Sequence, residues 1–349
     1  MKIGFYSPYL DTFGGGERYM LTLASALANK NIVDIFWEDH NIKAPLARFL
    51  KIDLSKTRFA QNPFREKITT RILSTLGYDF IFFLSDGSIP ASFASKNILH
   101  FQVPFTDIHL NFKDKLKLKR INYVITNSCF TKLFIDKTYG VNSQVIYPPV
   151  DINGIKPGIK EKIILSVGRF STGQLHPKKQ EVLIEVFKEI YKKKPDWKLI
   201  LIGQAKKEDL KYLRSLKKST RGFGIKIMEN LPIEKLRSLY AHTSIYWHAT
   251  GFGEDENKFP QKMEHFGIST VEAQSAGAVP VVIGKGGQKE IITDGKNGFL
   301  WQTKTQLHDL TLTLIENNDL MNKLSLAAVK NSKRFSQEKF IQAYEKLIY

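Results

Sequence analysis

Cysteine is nearly absent: the 349 residues contain one, Cys129. An internal disulfide framework is therefore excluded, and a reducing compartment fits. Long apolar runs are missing too, and none approaches the ~18–20 residues that cross a bilayer. The N-terminus Met1-Lys2-Ile3-Gly4-Phe5 turns polar by Asp11 and reads as a strand, not a signal peptide. These absences set the expectation of a cytoplasmic chain, soluble or peripheral on the inner face of the membrane. Two phosphate-binding signatures are also missing: the Gly-x-Gly-x-x-Gly of dinucleotide sites and the Lys-Ser/Thr ending of a P-loop.

Acidic residues are scarce beside basic ones. Lys and Arg number 52 against 34 Asp and Glu, a formal net charge of +18. Both halves share the excess: 19 against 13 in residues 1–155, and 33 against 21 in 156–349. Such a balance favours anionic partners, whether nucleotides, phospholipid headgroups or nucleic acid; a generally lysine-rich surface gives the same count. The runs Lys192–Lys194 and Lys206–Arg221 hold few interleaved aromatics. They do not read as a stacking surface, and no nucleic-acid partner is expected. A hydrophobic content of 42% suffices for real cores, and the length suits two domains.

The first half opens as strand, glycine loop and helix. Lys2–Ser7 is the strand, Phe13-Gly14-Gly15-Gly16 the loop, and Tyr19, Leu23, Ala24 and Leu27 recur at helical spacing. That order cradles phosphate in α/β folds, and it is also how a plain tight turn is written. Further strands are expected at Val33–Trp37, Tyr78–Leu84, Asn97–Phe101 and Tyr123–Ser128. His100 falls near a strand's carboxyl end, where ligands collect; a capped loop histidine is the plainer reading. Asn111–Arg120 is densely basic, fit for a solvated helix face or for an anionic membrane. Asp151–Lys160, with two Gly and a Pro, reads as the linker.

The second half repeats the logic. Lys162–Val167 is a strand ending in Gly168-Arg169. A loop then carries Lys178 and Lys179 into an amphipathic helix with Val182, Leu183, Val186, Phe187 and Ile190. Strands are expected at Trp197–Gly203, Ile225–Met228 and Ile245–Ala249; His248 reads equally as core or site. Glu254-Asp255-Glu256 reads as a solvated face. The stretch from Glu264 to Val282 joins a carboxylate, a glycine loop, a helix N-terminus and a short strand. Ser269 is a plausible N-cap and Gly277 the helix stop. Free N–H groups and the helix dipole at that point suit an anion. Ser269-x-x-Glu272 is also a capping box, which would give Glu272 a structural task only.

Glu264-x7-Glu272 with its internal Phe266-Gly267-Ile268, the small-residue helix and Val279-Pro280-Val281-Val282 resemble the donor-site signature of family 4 retaining glycosyltransferases of GT-B fold. The segments Asn127–Gly140 and Val145–Asp151 resemble the end of that family's first domain. Gly284–Glu290 and Asp294–Leu300 complete its donor-domain pattern. The resemblance implies α/β architecture: two Rossmann-like domains facing across a cleft, with a final helix crossing back to the first. It divides the chain into 1–155 plus 336–349 on the acceptor side, and 156–335 on the donor side.

The resemblance also assigns roles. Gly14, Gly15 and Gly16 would lie over the donor pyrophosphate. Arg169 and Lys178, or the adjacent Lys179, would clamp the diphosphate; the family commonly has Gly where Lys179 stands. Glu264 would face the donor sugar, with backbone at Phe266, Gly267 and Ile268 and the residue Thr270 contributing to donor binding. Glu272 would grip the ribose diol, and His100 would sit by the substrate. The implied reaction is metal-independent, retaining hexosyl transfer from a GDP- or UDP-sugar to a glycan or lipid-linked acceptor, with no other cofactor. Mannose is favoured over glucose. No Asp-x-Asp of metal-using glycosyltransferases occurs. Alternatives are a sugar-nucleotide epimerase or phosphorylase of the same fold, or a non-catalytic basic protein binding membrane or nucleic acid.

Overall fold

The computed structural model describes residues 1–173 and 175–349. Two compact units divide the chain: Met1–Pro149 with Glu338–Tyr349, and Val150–Gln337. The start of the linker belongs with the second unit, because Val150 N–H donates to the Phe335 carbonyl at 3.0 Å and Val150 bridges Ser336.

The first unit is built on seven parallel strands: β1 (Lys2–Tyr6), β2 (Ile32–Phe36), β3 (Arg58–Ala60), β4 (Phe80–Leu84), β5 (Lys96–Phe101), β6 (Tyr123–Thr126) and β7 (Gln144–Val145). Their spatial order is β3-β2-β1-β4-β5-β6-β7. Every residue of β4 is buried, as a parallel strand covered on both faces requires. The last strand, β7, is only two residues long, since Pro148 and Pro149 just beyond it cannot donate to a ladder.

One sheet face packs against helix Gly15–Leu27 and helix Lys43–Leu50, through Tyr19, Met20, Leu23, Leu46 and Leu50. The last helix, Gln337–Ile348, adds Phe340, Tyr344 and Ile348 to that same core. The Tyr19 hydroxyl fastens it: the oxygen lies 2.9 Å from the Ile146 carbonyl and 2.9 Å from the Tyr344 hydroxyl. The other face holds an aromatic cluster of Phe36, Tyr78, Phe83, Phe101 and Tyr139.

The second unit has six parallel strands: β8 (Glu161–Val167), β9 (Lys198–Gly203), β10 (Ile225–Glu229), β11 (Thr243–His248), β12 (Val279–Ile283) and β13 (Phe299–Trp301). They lie in the order β10-β9-β8-β11-β12-β13. In each sheet the chain works outward to one edge and then returns to build the other. The reversal falls between β1 and β4 in the first unit, and between β8 and β11 in the second. Such switch points leave a crevice at the strand carboxyl ends, where open α/β sheets bind ligands.

Candidate functional site

The switch point of the second sheet gathers most of the sequence-predicted residues. Arg169 is exposed just past the end of β8. Its carbonyl accepts from the Gln180 amide at 2.9 Å, which fixes the turn. Gly168 is needed beside it: a Cβ there would lie 2.7 Å from Lys178 Cγ, so the missing side chain lets the lysine stem cross. Lys178 Nζ ends 2.6 Å from Glu264 Oε2, both side chains 15% exposed. His248, the last residue of β11, places Nε2 2.9 Å from the same oxygen.

Electrostatics follow from this packing. Burial pushes the Glu264 carboxyl up, but Lys178, His248 and His176 together hold it well below its ordinary 4.5. Burial pushes His248 down, against the pull of Glu264. His176, in the loop before Lys178, is also held well below its ordinary value by burial, then by Lys178 and His265. Its ring lies 5.0 Å from that of His265, and Arg169 also acts on it. An ionised carboxylate, a cation and two neutral imidazoles therefore share one corner, with Arg169 beside them.

Lys179 faces elsewhere. Its Nζ lies 3.3 Å from Glu254, and its backbone is left-handed at φ 53°. This is the position where the resembled family commonly has Gly, and a left-handed residue explains that preference. The run Glu254-Asp255-Glu256 is not the solvated face the sequence suggested. Glu254 pairs with Lys262 at 2.9 Å as well as with Lys179, and Glu256 with Lys289 at 2.7 Å. Glu256 also accepts from Gly286 N–H at 3.0 Å, so the run ties two loops together.

Helix Ile268–Ser275 begins two residues earlier than expected. Gly267, at φ 120°, is its N-cap, and Ser269 lies inside it. The capping-box alternative therefore fails: Ser269 Oγ instead accepts from the Tyr246 hydroxyl at 2.7 Å. Glu272 accepts from the buried Tyr240 hydroxyl at 3.0 Å. Gly277, at φ 80°, ends the helix as predicted, with Ala278 N–H reaching back to the Ala273 carbonyl at 2.9 Å. Phe266 is buried against Phe335, so this residue can offer a ligand only backbone. Thr270 is fully buried, its hydroxyl without a partner. Gly287 N–H donates to the Glu264 carbonyl at 2.8 Å, bracing the loop from behind.

Sequence reasoning missed Tyr240, His176 and Lys160. Lys160 donates to the Ala241 carbonyl at 2.9 Å and the Ala276 carbonyl at 2.5 Å, stapling the ends of the Tyr240 and Glu272 helices. Burial lowers this lysine to about 8. Its only signal in the sequence was a lysine among linker residues.

The first unit holds the rest. Gly14 N–H donates to Glu17 Oε2 at 2.8 Å, and a Cβ on Gly16 would meet Leu84 at 3.0 Å. The triplet thus allows a close helix–strand approach, with Gly15 exposed at the turn. His100 is 0% exposed. Its ring stacks on Tyr19 at 3.9 Å, its Nε2 lies 2.5 Å from the Gln102 amide, and burial lowers it to about 3. A histidine so enclosed packs as a core residue, with the Gln102 amide as its polar partner. A pocket of about 230 Å³ opens at the first unit's switch point, lined among others by Tyr6, Phe64, Arg71, Asp86, Ser88 and Lys117.

Residues 152–331 match the family model for glycosyl transferases group 1, and the chain belongs to that family. It is 24% identical over 298 residues to a Dictyostelium discoideum GDP-Man:Man(3)GlcNAc(2)-PP-Dol alpha-1,2-mannosyltransferase, covering 80% of this chain and 57% of that protein. A human protein of the same name is 24% identical over 255 residues, covering 62% of this chain and 48% of that protein. The chain thus spans about half the length of these curated relatives. The crystal structure of Anabaena Alr3699/HepE in complex with UDP superposes with a TM-score of 0.76 at 19% identity, covering 100% of this chain and 99% of that one. That likeness shows a shared GT-B fold.

Proposed function

We propose that the chain moves a hexose from a nucleotide diphosphate sugar to a glycan or lipid-linked acceptor, with retention at the anomeric carbon. The observation that carries this is the Lys178–Glu264–His248 cluster beside Arg169 at the second sheet's switch point. Breaking the sugar–phosphate bond leaves its electron pair on the departing diphosphate. Arg169 offers a planar fork and Lys178 a point charge for that oxygen anion. Glu264 holds Lys178 in place, and its double engagement suits a brace better than a nucleophile. The sugar passes through an oxocarbenium-like state, and the acceptor oxygen enters on the face the phosphate leaves. The acceptor proton goes to the departing phosphate. Two fixed cations do the work that a divalent ion does elsewhere.

Glu272 takes the ribose diol, and the backbone from Phe266 to Ile268 takes sugar hydroxyls. The glycine loop Gly14–Gly16 serves the donor pyrophosphate through the Gly15 and Gly16 N–H groups, since that of Gly14 goes to Glu17. Tyr6, Phe64 and Arg71 line the acceptor pocket. The Dictyostelium and human relatives are mannosyltransferases named for GDP-Man, which favours GDP-mannose here, and we place glucose next; the UDP bound to the Anabaena protein supports testing UDP-sugars as well. The charge of +18 suits work at an anionic membrane surface. Among the described residues no helix is long and apolar enough to cross a membrane.

The test is release of nucleoside diphosphate from a panel of GDP- and UDP-sugars, with EDTA present, with and without a polyprenyl-phosphate-linked glycan. Release that needs the acceptor supports transfer. Release without it, or restored only by magnesium or manganese, contradicts the proposal.

A further inference from the structure

Two helices of the first unit bury almost none of their apolar side chains. Helix Ile68–Leu76 buries only Thr75, leaving Ile68, Leu73 and Leu76 in solvent, Leu73 at 75% exposure. Helix Phe112–Leu118 buries nothing, leaving Phe112 at 76% exposure with Leu116 one turn on. Single exposed apolar residues are ordinary; five large ones on two short helices are not.

The helices are neighbours. Phe93 N–H donates to Thr75 Oγ1 at 3.1 Å, and Arg120 Nε donates to the Ser92 carbonyl at 2.8 Å with its guanidinium over the Phe93 ring. The pocket lined by Arg71 of one helix and Lys117 of the other opens beside them. Net charge on both is positive. Residues 67–76 contain Lys67 and Arg71 and no acid. Residues 111–120 contain Lys113, Lys115, Lys117, Lys119 and Arg120; their one acid, Asp114, is paired with Lys117 at 2.9 Å.

We propose that these two helices form the face by which the first unit docks on an anionic bilayer, with Leu73, Leu76, Phe112 and Leu116 at the acyl boundary and the lysines among headgroups. A second copy is disfavoured as the occupant, because the face would bring like charge against like. This deepens the membrane-surface reading above and rests on it, and it sets the pocket at headgroup level, where a lipid-linked acceptor presents its sugar.

Flotation with vesicles of phosphatidylcholine alone, and of phosphatidylcholine mixed with phosphatidylglycerol, tests this. Wild type floats with the anionic vesicles only, and salt weakens it. Lys113→Glu, Lys115→Glu and Lys119→Glu together lower binding by about fivefold or more for each charge lost. Leu73→Ser with Phe112→Ser lowers it roughly tenfold at constant charge. Because all five residues are exposed, melting temperature and nucleotide-sugar affinity stay at wild-type values. Failure of wild type to float, or flotation unchanged by the Leu73→Ser/Phe112→Ser pair, overturns the proposal. So does a concentration-dependent dimer that the same pair abolishes while flotation persists. If flotation behaves as expected but no nucleotide sugar binds, the surface stands and the transferase reading falls.

Discussion

Two enclosed titratable groups, one in each unit, are held in opposite ways. In the second, Glu264 is enclosed but meets Lys178 and His248, and its carboxyl stays ionised far below the ordinary range. In the first, His100 is enclosed among Tyr19 and Phe82 with no charge at hand, and its imidazole stays neutral down to about 3. Burial opposes charge in both cases. The difference is whether the fold supplies a counter-charge. A charge kept at such cost to solvation is the better mark of a working site; a histidine kept neutral by an aromatic core serves the core.

The largest effect that would sharpen this contrast is an acid-dependent loss of stability from His100. Its folded value is about 3 against an ordinary 6.5. The unfolded chain therefore takes the proton first, and each pH unit below about 6.5 costs about 1.4 kcal/mol until near pH 3. Melting temperature against pH should fall less steeply for His100→Phe across that window. Parallel curves would break the contrast.

Glu264 carries the opposite sign. A depressed carboxylate contributes stability above its unfolded value, and that contribution is lost as pH falls through the folded one. Lys178→Met should cost about 2–3 kcal/mol at neutral pH, because Glu264 is left buried with only His248. Below its ordinary 4.5 the deficit should shrink. Denaturant titrations at two pH values decide it; a deficit that stays constant would contradict the pairing.

A smaller effect is expected at Tyr240, whose hydroxyl holds Glu272. Tyr240→Phe should raise donor KM about fivefold and leave kcat intact, since it loosens a contact of equal strength in ground and transition states. A kcat effect instead would place Tyr240 nearer the chemistry. The smallest concerns Lys179. Lys179→Gly removes left-handed strain and a partly buried ion pair, for a net gain of up to ~1 kcal/mol by thermal melting. Donor KM should not move. A large rise would return Lys179 to the diphosphate.

Parallel strands were easy to read because they are apolar throughout, as Phe80–Leu84 and Val279–Ile283 are. The Glu264–Glu272 stretch was legible because its two carboxylates and Gly267 resemble the donor-site signature of family 4 glycosyltransferases; the spacing alone left the capping box open. The helix start was not: Ser269 is a good capping residue in sequence, but Gly267 alone tolerates φ 120° and Tyr246 claims the serine hydroxyl. Tyr240, 32 residues from Glu272, and Lys160, 116 from Ala276, act only through folding, so no local pattern announces them. The acidic run misled because two of its lysine partners, Lys179 and Lys289, come from distant segments, with only Lys262 nearby.

The central claim is that Arg169 and Glu272 serve different stages of one donor's reaction. Donor kinetics of Arg169→Ala and Glu272→Gln, measured beside wild type in a single assay, test it most directly. In the proposed reaction Arg169 meets charge that grows as the sugar leaves, so its loss should lower kcat by ~10²–10³ with little change in donor KM. In the proposed reaction Glu272 holds the ribose throughout, so its loss should raise donor KM and leave kcat comparatively intact. An Arg169→Ala enzyme with wild-type kcat would contradict the account.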